Sequence, residues 1–204
     1  MASPVQYYYS AYSAYAYIGH QYFERIVKNS QRQIDHKPFN LIKCIDNIGS
    51  QPLSDRTEAS LEYYFKRQCD RWPEFRNVEM PGQTPTSHSN AADLADRILI
   101  ASIFSNKNID QLAFKFMLHH WTKNIDLTNE NQIKEILISE NFDSDELLKI
   151  ANTKKVIDIY EQNTEQAIAL SVFGSPTYFV DGDMFYGQDN LELVERALQK
   201  PFKK

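Results

Sequence analysis

Residues 171–198, SVFGSPTYFVDGDMFYGQDNLELVERAL, hold two short runs of strand formers followed by one amphipathic helix. The runs, 177–180 and 184–186, are joined by Asp181-Gly182-Asp183, and an Asp-Gly step between such runs is a strong hairpin signal. Pro176 stands at the entry to the first strand, where a missing N–H breaks no ladder. The Ser175–Pro176 bond is also of the one kind that readily adopts the cis form. Past the hairpin, Asp189 and Glu192 make a D-x-x-E cap, and Leu191, Val194 and Leu198 supply the apolar stripe of a closing helix.

Upstream of this unit the chain is helical for more than a hundred residues. Helix-like spacing marks residues 58–72, 91–105, 109–123, 131–139, 144–152 and 154–170. Asp143 with Glu146 forms another D-x-x-E cap, and residues 81–90, rich in Pro, Gly, Ser and Thr, form a loop. At the N-terminus, VQYYY (5–9) has the β-branched and aromatic content of a strand. A helix follows over 14–27, with Tyr15, Ile18, Tyr22 and Ile26 on one face and Ser10 and Ser13 in the turn before it. PFNLIKCI (38–45) reads as a second strand, completing a βαβ unit, and Gly49 and Pro52 mark a loop over 48–57. The order is therefore βαβ, a block of helices, then ββα.

Bulk properties narrow the partners. With 22 Lys and Arg against 27 Asp and Glu, the net charge is −5, which argues against a nucleic-acid polyanion, whose phosphates need a basic face. A small anion remains compatible, since a few amide donors and one or two cations hold it. Cys44 and Cys69 form no C-x-x-C pair, so neither a redox dithiol nor a zinc site is indicated. Two lone thiols suit a reducing compartment. No signal-peptide pattern and no 18-residue apolar run is present, so the expectation is a cytoplasmic protein with no membrane partner. His119-His120-Trp121 point in different directions on a helix and suggest no metal.

The element order is that of an α/β, thioredoxin-like fold with an inserted α-helical domain: residues 1–55 and 165–204 against residues 56–164. Two motifs, YSAYSAYAYIG (9–19) and residues 171–198, resemble the 2-hydroxychromene-2-carboxylate isomerase family, which is similar to kappa-class glutathione transferases and, more distantly, to DsbA-type oxidoreductases. The resemblance implies glutathione as cofactor, a homodimer, and a small carboxylate or aromatic electrophile as substrate.

It also implies roles for particular residues. Redox members of the fold place a cysteine in the first strand-to-helix turn, where free N–H groups and the helix dipole stabilise a thiolate. Here the resemblance puts Ser13 beside the glutathione sulfur. A serine makes no disulfide, but it donates a hydrogen bond that lowers the pKa of a bound thiol. Ser13 is equally a good helix N-cap, Ser10 is the competing candidate, and Ala14 replaces the family's usual proline. Ser175-Pro176 offers a peptide ligand an extra strand edge. Tyr186, Gly187, Gln188 and Asp189 would hold the γ-glutamyl end, through helix N–H groups for its carboxylate and Asp189 for its ammonium.

On the substrate side the resemblance points to Asp55 and Arg56, an arginine suited to a carboxylate. It points also to Lys43, one residue off the family lysine, and to His88, near a family tyrosine. The reaction it implies is cis–trans isomerisation of an aromatic-degradation intermediate. A transferase or peroxidase on another electrophile, and a non-catalytic glutathione-binding module, are the alternatives.

Overall fold

The computed structural model describes residues 2–51, 53–105 and 108–203. Its elements begin with strand β1 (Val5–Tyr9), helix α1 (Ala14–Asn29), strand β2 (Ile34–Pro38) and helix α2 (Leu41–Asn47). A 3-10 turn, Leu53–Asp55, leads into a continuous helical run made of α3 (Glu58–Glu62), a π-helical turn (Tyr63–Arg67) and α4 (Gln68–Arg76). The helical block continues with α5 (Asp93–Ile103), α6 (Ile109–Lys123), α7 (Glu130–Ser139), α8 (Ser144–Ala151) and α9 (Lys154–Ala169). Strands β3 (Thr177–Val180) and β4 (Asp183–Tyr186), a 3-10 turn (Gln188–Asn190) and α10 (Leu191–Gln199) close the chain.

Among the described residues the strands form one sheet of order β2-β1-β3-β4, with β2 parallel to β1 and β3 and β4 antiparallel. This is the thioredoxin-like arrangement expected from the element order. The β3–β4 turn is tighter than the sequence suggests. Val180 pairs with Asp183, leaving only Asp181-Gly182, both at positive φ (52° and 85°). That is a two-residue turn whose twist matches the flanking strands.

The crowded N-terminal tyrosines follow the period of β1. Val5, Tyr7 and Tyr9 face one side, where Tyr7 packs on Phe23 of α1 and Tyr178 of β3. Tyr8 faces the other side with Phe39, Cys44, Val172 and Phe179. The first core continues unbroken into the helical block through Leu99, Phe116, Met117 and Leu137.

The second strand departs from the sequence reading. Of the expected strand over 38–45 only Pro38 is in one: β2 is IDHKP (34–38), and the helix α2 begins at Leu41. Asn40 accepts a hydrogen bond from the Lys43 N–H and caps that helix, placing Cys44 on its buried face. Leu41, Cys44, Ile45 and Ile48 are spaced for a helix as well as they fit a short apolar run. IDHKP is too polar to read as a buried strand. It sits at the sheet edge, where Pro38 is tolerated, and its buried His36 is satisfied by Tyr9 Oη (2.9 Å) and Asp110 Oδ1 (2.6 Å).

The closing helix also starts differently. Asp189 makes no capping hydrogen bond; Gln188–Asn190 is a 3-10 turn, and α10 begins at Leu191. Asp143, in contrast, accepts from the Glu146 N–H, as its D-x-x-E pattern suggests.

Candidate active site

The turn between β1 and α1 meets the β3 entry loop at the C-terminal end of β1. The Ser175–Pro176 bond is cis. Ser13, 7% exposed, caps α1 by accepting from the Ala16 N–H (3.2 Å) and donates its own hydroxyl hydrogen to the Ser175 carbonyl (2.9 Å). The capping reading of Ser13 holds, and the same hydroxyl ties α1 to the proline loop. The N–H groups of Ala14 and Tyr15, in the first turn of a 16-residue helix, have no intrahelical acceptor and form the positive end of its dipole.

Ser10 has a different task. Its N–H donates to Ser175 Oγ (3.1 Å), and its hydroxyl donates to Asp96 Oδ2 (2.6 Å), while the Ala11 N–H donates to Asp96 Oδ1 (2.8 Å). Asp96, on α5, is fully buried, and this burial pushes its carboxyl well above the usual carboxylate range. Ser10 therefore ties the turn to a buried acid, and Ser13 is the hydroxyl at the helix end.

The opposite wall is the β4–α10 junction. The Gly187 N–H donates to the Pro176 carbonyl (2.9 Å), which fixes this junction to the proline loop. Gly187 has φ 91° and ψ 150°, and a Cβ there would stand 2.3 Å from Asp189 Oδ1. The Asp189 carboxylate therefore folds back against the bare Cα, and its charge acts on both Tyr15 and Tyr186. Tyr186 is half exposed and packs on Phe173. Gln188 turns inward instead: it is buried, and its side chain accepts from Arg76 Nε (3.2 Å).

Arg76 is a residue that the sequence reading missed. It donates to the Gln188 carbonyl (3.0 Å), binds the Glu192 carboxylate with two nitrogens, and stacks over the Tyr22 ring at 4.4 Å. It locks α4 to the turn that carries Asp189. No sequence signal marks it, because its partners lie over a hundred residues away.

The substrate-side candidates scatter more widely. Arg56 lies close enough to Tyr186 for its charge to oppose the rise that burial imposes on that hydroxyl. The Asp55 carboxylate accepts from its neighbour Ser54 (3.0 Å). His88 packs 5.2 Å from the ring of Tyr12, the residue before Ser13. Lys43 lies apart, ion-paired with Glu165 (2.7 Å) at the rim of a cavity of about 280 Å³ lined by Asn40, Asp93, Arg97, Tyr160 and Thr164.

The two cysteines are free, Cys44 buried with its thiol pushed up to about 11, and Cys69 partly buried with its thiol raised by burial and lowered by Tyr15. No helix among the described residues is long and apolar enough to cross a membrane.

The model of the DSBA-like thioredoxin domain matches residues 4–199. The chain belongs to this family. It is 22% identical to a 2-hydroxychromene-2-carboxylate isomerase of Sphingobium xenophagum, over 97% of this chain and 99% of that relative. It is 24% identical to glutathione S-transferase kappa 2 of Caenorhabditis elegans, over 98% and 93%. A solved 2-hydroxychromene-2-carboxylate isomerase superposes with a TM-score of 0.82 at 19% identity, covering 96% of this chain and 94% of that one. In this DSBA-like chain Ser13 stands in the first turn, and the first cysteine along the sequence is Cys44.

Proposed function

We propose that this protein is a glutathione-dependent cis–trans isomerase of the 2-hydroxychromene-2-carboxylate isomerase type. The observation that carries the reading is the meeting of Ser13, the free N–H groups of α1 and the Ser175 main chain at one point. The site fits glutathione in three separable ways. Ser175 offers main-chain pairing to the cysteinyl unit, the α1 N-terminus favours an anion at Ser13, and the Gly187–Asp189 turn offers a carboxylate to the γ-glutamyl ammonium.

When bound, glutathione supplies a thiol whose thiolate adds reversibly to the conjugated, ring-opened substrate, so that a double bond is single while it rotates. Ser13 starts with its hydroxyl donated to Ser175. An N–H from the ligand that takes over the Ser175 carbonyl frees the Ser13 hydroxyl to donate to the thiolate. Cofactor seating and thiol activation are coupled in this way. Arg56, beside Tyr186, holds the substrate carboxylate through two parallel hydrogen bonds.

Removing a hydrogen bond to a charged group costs about 1.5–3 kcal/mol. Ser13→Ala is therefore expected to raise the pKa of bound glutathione by roughly 1–2 units and to slow isomerisation about 10- to 100-fold. Ultraviolet titration of the thiolate and a turnover assay with and without glutathione check both. Isomerisation that proceeds equally without glutathione would sink the reading. The kappa-class relative motivates a second reading, transfer of glutathione to another electrophile. Conjugate formation with a standard aryl halide would favour it.

A further inference from the structure

His88 and His120 form a two-ring relay whose proton positions are dictated by the structure. His120, 1% exposed, has its Nδ1 2.8 Å from the Ile125 carbonyl. A carbonyl only accepts, so His120 Nδ1 carries the hydrogen and, in the neutral ring, Nε2 carries a lone pair. His88 Nδ1 lies 3.1 Å from that Nε2 and must therefore be the donor. In neutral His88 the remaining nitrogen, Nε2, is then an acceptor, and no described residue donates to it.

Both rings are held against protonation. Burial, with the charge of His120 added, pushes His88 down to about 4, and burial lowers His120. The loop is also anchored: the Thr86 N–H donates to Asn124 (2.7 Å), Asn90 donates to Asp126 (3.1 Å), and the His88 N–H closes a turn on Pro85 (3.0 Å).

The relay borders the catalytic turn. The His88 ring lies 4.9 Å from Trp121 and 5.2 Å from Tyr12, and Trp121 Nε1 donates to the Tyr12 carbonyl (3.1 Å). We infer that His88 Nε2, fixed as an acceptor by the Ile125–His120 relay, selects substrates that present a hydroxyl donor, such as a hydroxyaryl or enol group. This rests on the proposed function, which seats the glutathione thiol at Ser13, next to Tyr12 in the chain, and so brings the substrate to this turn. A tyrosine hydroxyl at such a position would donate or accept; a histidine locked in this tautomer only accepts. His120 is the positioning residue, since it sets the proton on His88 and lies behind it.

The test uses the full-length protein without glutathione, so it is independent of whether glutathione binds. Nitrogen-15 correlation spectra of the histidines should show His88 with Nδ1 protonated and Nε2 bare. On titration, 4-hydroxybenzoate should shift the His88 Nε2 resonance and bind about three- to tenfold more tightly than 4-methoxybenzoate, the range for one neutral hydrogen bond. His88→Phe, in a half-exposed loop, should erase that preference, and His120→Phe should let His88 populate the other tautomer. A protonated Nε2 in the wild type overturns the inference. So does an unmoved Nε2 resonance, or equal binding of the two probes.

Discussion

Asp96 is a fully buried carboxyl whose described hydrogen bonds come from neutral donors, the Ser10 hydroxyl and the Ala11 N–H. Its folded pKa lies well above the ordinary 3.8. Below 3.8 the group is neutral in both folded and unfolded chains, and its contribution does not change with pH. Above 3.8 the unfolded chain ionises first while the folded chain keeps its proton, so the contribution to stability falls as pH rises toward the folded pKa. Asp96→Asn keeps an acceptor for Ala11 and removes the titration. The variant is therefore expected to gain on the wild type between pH 4 and pH 7, read as the difference in Tm at the two values. A difference that is flat, or that grows in favour of the wild type, means that Asp96 is ionised in the fold. The upward shift of Asp96 also suits the chemistry, because a charge under the turn would raise the pKa of a thiol held there. Gly187 is the other decisive single position. Its backbone lies where side chains are strained by about 1–3 kcal/mol, and an added Cβ would strike the Asp189 carboxylate. Gly187→Ala is expected to lower stability by that amount and to weaken glutathione binding, since Asp189 must move. Calorimetric titration alongside thermal melting separates the two effects.

At the scale of elements, what was legible followed strong local signals. The Asp-Gly turn and the alternation in 177–186 placed the hairpin, and the 3.6-residue spacing placed the helices from α5 to α9 with ends shifted by a residue or two. The second strand was not legible, because the buried His36 of IDHKP is satisfied by partners on β1 and α6, while the neighbouring apolar run satisfies a helix period. The same cause hid Arg76, Asp96 and His120. Each acts on the site through partners on other elements, and nothing local distinguishes an arginine that forks onto a distant turn from a solvated one. Arg76 has the clearest consequence. Its side chain is almost fully buried, and it binds the Gln188 carbonyl and the Glu192 carboxylate together. A lysine cannot reproduce that fork. Arg76→Lys is expected to cost about 1–3 kcal/mol, the range for lost charge-assisted bonds. It should loosen glutathione while leaving the pKa of the bound thiol close to the wild-type value, because Ser13 belongs to the opposite wall. An equal effect on affinity and thiol pKa would show that the two walls are not independent.

At the scale of the whole molecule, the question is whether residues 1–55 with 165–204 and residues 56–164 act as separate units. The physical continuity of the core argues for one cooperative unit. The apolar cluster on the Tyr7 face of the sheet runs through α1 into Leu99 of α5, Phe116 of α6 and Leu137 of α7, and Trp121 of α6 is hydrogen-bonded to the turn that precedes Ser13. Two probes sit on opposite sides of the notional boundary. Trp121 reports the helical block, and Cys44, fully buried in the cluster of Tyr8, Phe39 and Val172, reports the other sheet face. In a Cys69→Ser background, with Trp72→Phe to isolate Trp121, urea unfolding followed by fluorescence and by pulsed thiol labelling is expected to give one shared midpoint. Phe116→Ala removes a fully buried ring from the helical side. It should cost about 3–5 kcal/mol and move both probes together, including a thiol on the far face of the sheet. If labelling of Cys44 keeps its wild-type midpoint while Trp121 shifts, the helical block unfolds as its own domain, and the site between Ser13 and His88 spans a boundary that can open.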